Sequence, residues 1–426
     1  MAIWIWIIAA WVLSYLALGK KKVSFEHLIW ILLPVDMYGI TMAGATIKPY
    51  MVFCVILFVR MIKRGDLQLH ISKWLAGAGI ISGAVVIVNI ANNTTGSAPK
   101  AALLLVVVWV CCCIYLSSCN DKTWTDVPNV LVATGIGYGV AFILLYVVLK
   151  MQINLPGLVT ADRTLEGVFL RTLNYYENAL SQVDRLRGFT IDPNTTIGVF
   201  ALCSIVCFLK LTDEKGAKKE WCGIAVSAIC VLLTGSRMGI LCFVILFALT
   251  LVAGYRVANI RVRNYMKLIL IALIFVVIFL LIVTNVIQEF VSNLLSLYDT
   301  RSGLTDEYGR FSIWKDAISV WLDNDPLLGI GIGQMRYYTA TERDCHNTWL
   351  SMLCENGLIV GSALCILFAG AAFIGICKVR GVRENRKREL TLGLVLGFLT
   401  IMLSLVSVDN VTYSYLWFSA AMLTII

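Results

Sequence analysis

His346 lies where the polar start of RDCHNTWLSMLCENGLIVG (343–361) runs into an apolar segment. Histidine titrates near neutral pH, so its side chain can accept a proton from an attacking hydroxyl group or orient that hydroxyl by a hydrogen bond. The alternative is an ordinary polar residue at the mouth of a membrane helix. Asn347 is of a type that caps helix N-termini, and ENG at 355–357 predicts a kink near the surface.

Arginine is the second chemically informative residue type. The segments 150–193 and 286–346 hold two lysines and eight arginines, which are Arg163, Arg171, Arg185, Arg187, Arg301, Arg310, Arg336 and Arg343. The guanidinium group presents a planar fork of donors that matches a phosphate group. We therefore expect these segments to bind a phosphate or diphosphate group. The alternative is that the arginines pair with carboxylates such as Asp184, Asp306, Glu307 and Asp344.

Arg237 is set apart because it lies between two apolar runs, in VLLTGSRMGILCFVIL (231–246). A charged side chain at membrane depth is costly, so it marks a functional position by default. The alternative is an arginine whose long side chain reaches the lipid headgroups. Gly235 and Gly239 would let backbone or ligand approach closely.

These residues must be positioned by a membrane-embedded scaffold. Of the 426 residues, 59% are hydrophobic and 14% are charged, whereas a soluble domain has about 25% charged residues. Apolar stretches long enough to cross a bilayer recur along the chain, and in lipid such segments must be helices. We predict an all-α polytopic membrane protein, a single integral domain over 1–426 with about 12–13 transmembrane helices. The predicted spans are 2–18, 28–44, 47–62, 74–91, 100–118, 129–149, 194–210, 220–235, 238–254, 266–285, 357–378, 389–408 and 410–426.

The basic loops define the orientation. Lysines and arginines concentrate in the short loops at 20–22, 60–73, 210–220, 255–267 and 378–389, which alternate onto one side of the membrane. By the positive-inside rule that side is the cytoplasm, so the net charge of +9 is a topology signal and no nucleic acid partner is expected. Segments 150–193 and 286–346 are then external loops. In the larger one, residues 308–323 carry apolar residues at helical spacing, which predicts an amphipathic helix in the membrane interface.

Four motifs resemble, in order, those of the O-antigen ligase and polymerase superfamily (the Wzy/WaaL type). They are RGFTIDPNTTIG (187–198), LLTGSRMG (232–239), GRFSIWKDAISVWLDNDPLLGIGIG (309–333) and HNTWLSMLCENGLIVG (346–361). The resemblance covers residues 185–375 and is nearest to a polysaccharide repeat-unit polymerase. It implies an inverting, metal-independent glycosyltransferase of the bacterial cytoplasmic membrane that uses no cofactor. Such an enzyme takes a glycan from undecaprenyl diphosphate on the outer membrane face and passes it to a hydroxyl of a glycan, lipid or protein.

The resemblance also implies roles for individual residues. Arg237 matches the arginine of the SR-G motif, Arg310 the arginine that starts the amphipathic helix, and His346 the histidine that ends the large loop; these three are the candidate catalytic residues. The leaving group of the donor is a diphosphate, and fixed cations aimed at the developing charge stabilise the transition state. Candidate diphosphate-binding residues are Arg237, Arg310, Arg187 and Arg336. Candidate supporting residues are Ser236, Asn194, Trp314, Asn347 and Glu355.

Other patterns have weaker functional interpretations. GIGIG (329–333) is not in a strand–turn–helix unit, so it predicts a close-packed turn under the site and not a dinucleotide site. DND (323–325) has the spacing of a metal site, but Pro326 follows it, which favours the polar end of a helix; we expect no metal ion. Asp36 is an intramembrane carboxylate, either functional or paired with an outer arginine. His27 and His70 lie in basic loops and are expected to be solvated.

Cysteine chemistry is not expected, because most of the 14 cysteines lie in apolar segments and behave there as small hydrophobic residues. A Cys345–Cys354 disulfide and a nucleophilic Cys345 are the alternatives. Two functional alternatives also stand. One is a ligase or protein glycosyltransferase of the same superfamily. The other is a transporter or flippase for a lipid-linked glycan, which should show internal repeats, and no repeat is seen.

Overall fold

A computed structural model describes residues 2–19, 22–42, 45–66, 68–69, 71–92, 98–119, 124–151, 153, 169–174, 182–213, 218–236, 240, 243–245, 247–251, 310–339, 344–382 and 385–425. The predicted span 266–285 lies outside these residues. So do 286–309 of the large loop, and Arg163, Arg237, Arg301, Arg343 and His70.

Helices make up about four-fifths of the described structure. In chain order they are α1 (Ala2–Leu18), α2 (Ile29–Leu32), α3 (Pro49–Arg64), α4 (Lys73–Ala91), α5 (Ala98–Ser118), α6 (Val127–Lys150), α7 (Pro193–Asp213), α8 (Lys218–Leu233), α9 (Arg310–Asp323), α10 (Met335–Tyr338), α11 (Thr348–Asn356), α12 (Ser362–Gly381), α13 (Asn385–Ser404) and α14 (Ser414–Leu423). Single 3-10 turns lie at Phe25–Leu28, Trp124–Asp126 and Leu405–Ser407, and a π-helical turn lies at Gly357–Gly361. Two antiparallel hairpins pair β1 (Ile40–Met42) with β2 (Ala45–Ile47), and β3 (Leu170–Asn174) with β4 (Gln182–Leu186).

Six helical stretches in the described part of the chain are long and apolar enough to cross a membrane. They are Lys73–Ala91, Pro99–Ser118, Trp124–Lys150, Pro193–Leu211, Thr348–Gly381 and Leu390–Ser407. Ile3–Leu18 and Ser414–Leu423 are shorter apolar helices. The predicted fold class, an all-α polytopic membrane protein, is therefore confirmed.

Helix α7 lies at the centre of the bundle. Its apolar window is 100% buried, between α13 on one side and α6 and α8 on the other. Helix α14 is also enclosed along its length. Both helices begin at the end of the bundle where the candidate site is found, so central packing fixes the positions of their first residues.

The predicted span 28–44 is wrong. After the 3-10 turn Phe25–Leu28, helix α2 covers only Ile29–Leu32, and the chain then forms the β1–β2 hairpin. Asp36 explains the break, since its buried carboxylate must be paired. Lys48, which directly precedes α3, supplies that partner at 2.7 Å. Asp36 and Lys48 therefore face each other across a segment that folds back on itself, and residues 28–44 do not form a straight membrane helix.

The prediction of a solvated His27 is also wrong. His27 is fully buried, and its Nδ1 lies 2.9 Å from the hydroxyl of Tyr115, which also accepts a hydrogen bond from the Trp30 indole. The basic residues near His27 in the sequence did not indicate that its side chain is exposed to solvent. The 3-10 turn directs the His27 side chain into the bundle.

The apolar stretch Thr348–Gly381 folds back on itself. As one straight helix, its 34 residues would extend about 51 Å, well beyond the roughly 30 Å of a bilayer core. Instead, the carbonyl of Trp349 lies 3.9 Å from the sulfur of Cys365, and that of Met352 lies against Gly361. The residue number rises from Trp349 to Met352 on one side of these contacts and falls from Cys365 to Gly361 on the other. Helices α11 and α12 therefore form an antiparallel helical hairpin. Gly357, with φ 69°, makes the turn, as the predicted kink at ENG requires.

Candidate functional site

The segment 405–413, between α13 and α14, connects the starts of two helices that carry candidate residues. We call it the connecting segment. The Asn194 amide, in the first turn of α7, donates to the Ser407 carbonyl at 3.1 Å. The Thr348 hydroxyl, at the start of α11, donates to the Val408 carbonyl at 2.6 Å and accepts from the Asn410 backbone N–H at 3.0 Å. Two motifs that are far apart in sequence therefore meet at one end of the bundle.

Asn194 also binds the chain that leads into the SR-G motif. Its side-chain oxygen accepts a hydrogen bond from the Ser236 hydroxyl and one from Arg185 Nη2 at 3.5 Å. Arg185 Nε donates to the Thr234 carbonyl at 2.8 Å. Gly235 has φ 57°, a conformation that favours glycine. Asn194, Arg185 and Ser236 are buried, so they fix the chain immediately before Arg237, which lies outside the described residues.

Arg185 was not among the predicted site residues, although it belongs to the arginine-rich segment. It lies in β4, two residues before Arg187. Its place in the arginine-rich segment, close to Arg187, was the available signal. What sequence could not supply was the long-range partner, the carbonyl of Thr234.

Arg187 lies after β4 in a turn that leads to α7. Its carbonyl accepts from the hydroxyls of Thr190, at 3.1 Å, and Thr196. Burial raises the pKa of Tyr38, and the nearby positive charge of Arg187 opposes that shift. Arg187 therefore lies at the junction of the α7 start with the N-terminal segment.

Asp36 ties the same N-terminal segment to the connecting segment. Its carboxylate binds Lys48 at 2.7 Å and also accepts from Asn410 Nδ2 and the Ser414 hydroxyl, each at 3.4 Å. The Asp36 backbone N–H donates to the Phe189 carbonyl at 3.2 Å. Of the two alternatives for Asp36, pairing is observed, but with a lysine and not with an arginine.

An apolar cleft adjoins this corner. It has a volume of about 290 Å³, and Gly39, next to Tyr38 in sequence, lines it. Its other lining residues include Trp4, Trp11, Leu32, Ile40, Ile47 and Phe53. Ile40 on its rim is 61% exposed, so the cleft opens at the surface of the helical bundle.

His346 has an unusual backbone conformation. Its φ is 52°, and it is the one non-glycine residue with positive φ in the described part of the chain. Such a conformation costs about 1–3 kcal/mol and concentrates at functional sites. Fully buried Cys345 fixes one side of His346. On the other side Asn347 caps α11, accepting from the N–H groups of Trp349 and Leu350 at 3.1 and 3.3 Å, which confirms the predicted cap.

Helix α9 packs against α11 beside this turn. Cys345 and Cys354 form a small apolar cluster with Ala317 of α9, against which Trp314 also packs. Arg310 begins α9, so the predicted amphipathic segment and the histidine segment are joined through this cluster. Both cysteines are free thiols, and burial together with the carboxylate of Asp409 raises the pKa of Cys345. Those surroundings disfavour the thiolate that a nucleophile requires.

Carboxyl groups lie beside α11. Glu355 near the end of this helix and Asp409 in the connecting segment are close enough for their charges to interact, and the Ser351 side chain is near both. Because two negative charges repel each other, this arrangement is most favourable when one carboxyl keeps its proton. Burial raises the pKa of Asp409 to about 7, against the effect of Ser351, and the charge of Asp344 adds to the rise. The sequence predicts that arginines dominate here, and it did not single out Asp409, which lies in a short polar gap between apolar runs.

Arg336, a predicted diphosphate ligand, is paired. Its Nε lies 3.0 Å from Asp344 Oδ1, and its Nη2 lies 2.5 Å from Asp344 Oδ2. This is the bidentate geometry of an arginine–carboxylate pair. The pairing alternative raised by the sequence is thus the observed one for this arginine.

The GIGIG turn packs backbone against backbone with the tip of the α11–α12 hairpin. Ile330 and Gly331 donate to the carbonyls of Cys354 and Glu355 at 3.3 and 2.8 Å. A β-carbon at Gly329 would collide with the backbone of Glu355 and Gly357. The predicted close-packed turn is therefore confirmed, and it holds the segment that carries Glu355.

The DND segment has the hydrogen bonds of a helix end. Asp325 Oδ1 accepts from the backbone N–H groups of Leu327 and Leu328 at 3.0 and 2.9 Å. Asp323 accepts from the Ser319 hydroxyl one turn earlier in α9, at 3.0 Å. These bonds match the helix-end interpretation favoured by Pro326.

Comparison with known proteins supports the family. The profile of the O-antigen ligase family matches residues 222–365, which include the SR-G, α9 and His346 motifs. No curated protein matches the chain significantly. The family implies a glycosyltransferase-like enzyme that works in a lipid bilayer on a glycan or lipid substrate. The match supports the resemblance of residues 222–365 to the O-antigen ligase and polymerase superfamily.

Proposed function

We propose that the chain transfers or polymerises an undecaprenyl-diphosphate-linked oligosaccharide on the outer face of the bacterial cytoplasmic membrane. The donor's anomeric carbon forms a bond to the acceptor hydroxyl oxygen while its bond to the diphosphate oxygen breaks with inversion. The electron pair leaves with the diphosphate, and the hydroxyl proton passes to a basic group. We favour polymerisation of a capsule, exopolysaccharide or O-antigen repeat over ligation to a lipid core or a protein.

One observation carries this proposal, namely the meeting of the motifs at the connecting segment. Asn194 holds the chain before Arg237 and also binds Ser407, while Thr348, two residues after His346, binds Val408. A cationic motif and a histidine motif at one end of a membrane bundle suit a reaction in which a lipid diphosphate leaves and a hydroxyl attacks.

In this proposal, the arginines and the groups that exchange protons have separate roles. Arg187, Arg237 and Arg310 bind the diphosphate and stabilise its developing charge, while buried Arg185 holds the chain before Arg237. His346 orients the acceptor hydroxyl and receives its proton, and we add Asp409 as a carboxyl group whose pKa of about 7 suits proton exchange near neutral pH.

The apolar cleft supplies a place for the lipid part of the donor. Its walls are almost entirely apolar and it opens at the bundle surface. It adjoins Tyr38, which lies beside Arg187. We therefore expect several isoprene units of the polyprenyl chain to lie in the cleft while the diphosphate reaches the arginines.

The test uses purified protein in detergent, undecaprenyl-diphosphate-linked repeat units and a chelator. Longer lipid-linked products are expected in the wild type, and Arg237→Ala and His346→Ala should abolish them. Arg380→Ala removes an exposed arginine at the far end of α12 and should not change the products. Full activity of the His346→Ala variant would contradict the site, and loss of wild-type activity with chelator would contradict metal independence.

A transporter or flippase is the second candidate, since an arginine-lined membrane site also suits a lipid-linked anion. A flippase and the proposed glycosyltransferase differ in what they do to the lipid-linked glycan. A flippase moves the labelled donor across proteoliposome membranes without lengthening its glycan, whereas the proposed enzyme lengthens it in detergent, where there are no two compartments.

A further inference from the structure

Two tyrosines are held outward on the short helix α10. Met335 and Thr339 are four positions apart and both are buried, so they occupy one face. The residues between them face outward: Tyr337 is 62% exposed, Tyr338 is 48% exposed, and the Arg336 side chain is 51% exposed. Exposed aromatic rings on an element anchored by buried neighbours form a fixed surface and not a loose loop.

This surface lies next to the candidate reaction centre. The Met335 N–H faces Glu355 Oε1 at 3.5 Å. Arg336 is bound in bidentate fashion to Asp344, two residues before His346. The first two residues of α10 are therefore joined to Glu355 and to the residue two positions before His346, and the two tyrosines follow these contacts directly in the chain.

We propose that Tyr337, Tyr338 and the Arg336–Asp344 pair bind a sugar ring of the acceptor glycan. This inference rests on the proposed glycosyl transfer and specifies its acceptor side. A pyranose ring has an apolar face of C–H groups, which an aromatic ring can cover, and an edge of hydroxyl groups. Beyond the two hydrogen bonds that join Arg336 to Asp344, the guanidinium group has further N–H donors and the carboxylate has further lone pairs that can bind those hydroxyls.

The pairing of Arg336 also argues for a neutral ligand. A diphosphate would have to displace Asp344 or bind beside its negative charge. Neutral hydroxyl groups can add to the ion pair without breaking it. This assigns Arg336 to the acceptor glycan, in place of the diphosphate role that the sequence predicts.

Tyrosines also anchor membrane proteins at the lipid interface, and the experiment must separate that role from sugar binding. The probe is the soluble oligosaccharide released by mild acid from lipid-linked repeat units of the source cell. Its affinity for the full-length protein is measured calorimetrically in detergent, where no bilayer anchors the rings. Tyr15→Ala is the matched control, because Tyr15 is 64% exposed on α1.

Tyr337→Ala should weaken binding about tenfold, because a sugar covering roughly 55 Å² of ring at about 25 cal/mol per Å² contributes that factor. Tyr337→Phe keeps the ring and should bind nearly as the wild type does, as should Tyr15→Ala. In the transfer assay, Tyr337→Ala should raise the KM for the acceptor and leave the KM for the donor unchanged.

Wild-type affinity retained in Tyr337→Ala, or no wild-type binding at millimolar oligosaccharide, would overturn the inference. Its failure is distinct from failure of the proposed function. If the wild type lengthens glycans but Tyr337→Ala keeps the acceptor KM, only the sugar surface is wrong. If the oligosaccharide binds in a Tyr337-dependent manner but no product forms, the proposed glycosyl transfer is wrong and the sugar-binding inference is kept.

Discussion

Replacing Asp409 by asparagine tests the electrostatics of the carboxyl groups beside His346. The pKa of Asp409 is raised from 3.8 to about 7, first by burial. A folded-state pKa above the unfolded value means that the folded protein binds the proton more tightly. Asp409 therefore favours folding fully at low pH, and this contribution is lost as pH rises from about 4 to about 7, with no further loss above that.

The size of the effect follows from the shift. Three pKa units correspond to about 4 kcal/mol at 1.36 kcal/mol per unit. Asp409 keeps some exposure to solvent, which reduces this figure, so we expect about 2–3 kcal/mol between pH 4.5 and 7.5. The asparagine side chain in Asp409→Asn carries no proton to lose, so the stabilisation of this variant relative to the wild type should grow across that interval.

The assay is thermal unfolding of both proteins in detergent at several pH values, followed by intrinsic fluorescence. The midpoint of Asp409→Asn minus that of the wild type should rise by several degrees from pH 4.5 to 7.5. Asp66→Asn, at an exposed aspartate beyond the end of α3, should reproduce the wild-type pH dependence. A difference between Asp409→Asn and the wild type that stays constant with pH would refute the reasoning.

Three further predictions concern stability; two use the same unfolding assay and one uses size-exclusion chromatography. Lys48→Met leaves the buried Asp36 carboxylate unpaired and should cost about 3–5 kcal/mol, most of which the double variant with Asp36→Asn should recover; no recovery would mean that packing and not charge was lost. Gly357→Ala should abolish the folded peak in size-exclusion chromatography, because its φ is 69° and a β-carbon would strike neighbouring backbone, whereas Gly370→Ala, which has open space, should be tolerated. Asn347→Ala should lose about 1 kcal/mol with the helix cap and Asn347→Asp should not; equal losses would argue against the cap.

Local chemistry was readable from the sequence. The six long apolar helices followed from run length, the Asn347 cap from residue type at a helix start, and the GIGIG turn from glycine spacing. Each of these depends on neighbours within a few positions, where backbone preferences and helix geometry act. The helix starting at Arg310 likewise falls inside the segment where apolar residues recur at helical spacing.

Contacts between residues that are far apart in the sequence could not be predicted. Asp36 was expected to be functional or to pair with an outer arginine, yet it pairs with Lys48 across a folded segment. The connecting segment looked like a short gap between apolar runs, yet it binds both Asn194 and Thr348. A hydrophobic period shows which face of a helix is buried but not which helix covers it, so these contacts required the folded structure.

The α11–α12 hairpin changes the expected position of His346. The sequence placed it at the outer mouth of a helix that then descends into the membrane. Because α11 runs antiparallel to α12, Trp349 lies beside Cys365, and the Trp349 indole donates to the Met402 carbonyl at 3.0 Å. The residues that follow His346 therefore lie alongside the body of α12 and α13, while the hairpin tip at Gly357 lies farther along α11. In the proposed reaction, a histidine set back from the tip suits a lipid-linked diphosphate donor, whose phosphates stay near the headgroup level while the polyprenyl chain remains in the bilayer. An acceptor sugar would then have to reach past the tip to the reacting carbon. We expect the tip and the packed GIGIG turn to form one wall of that approach, which is why Gly357, far from any reacting group, should matter to the fold before it matters to the chemistry.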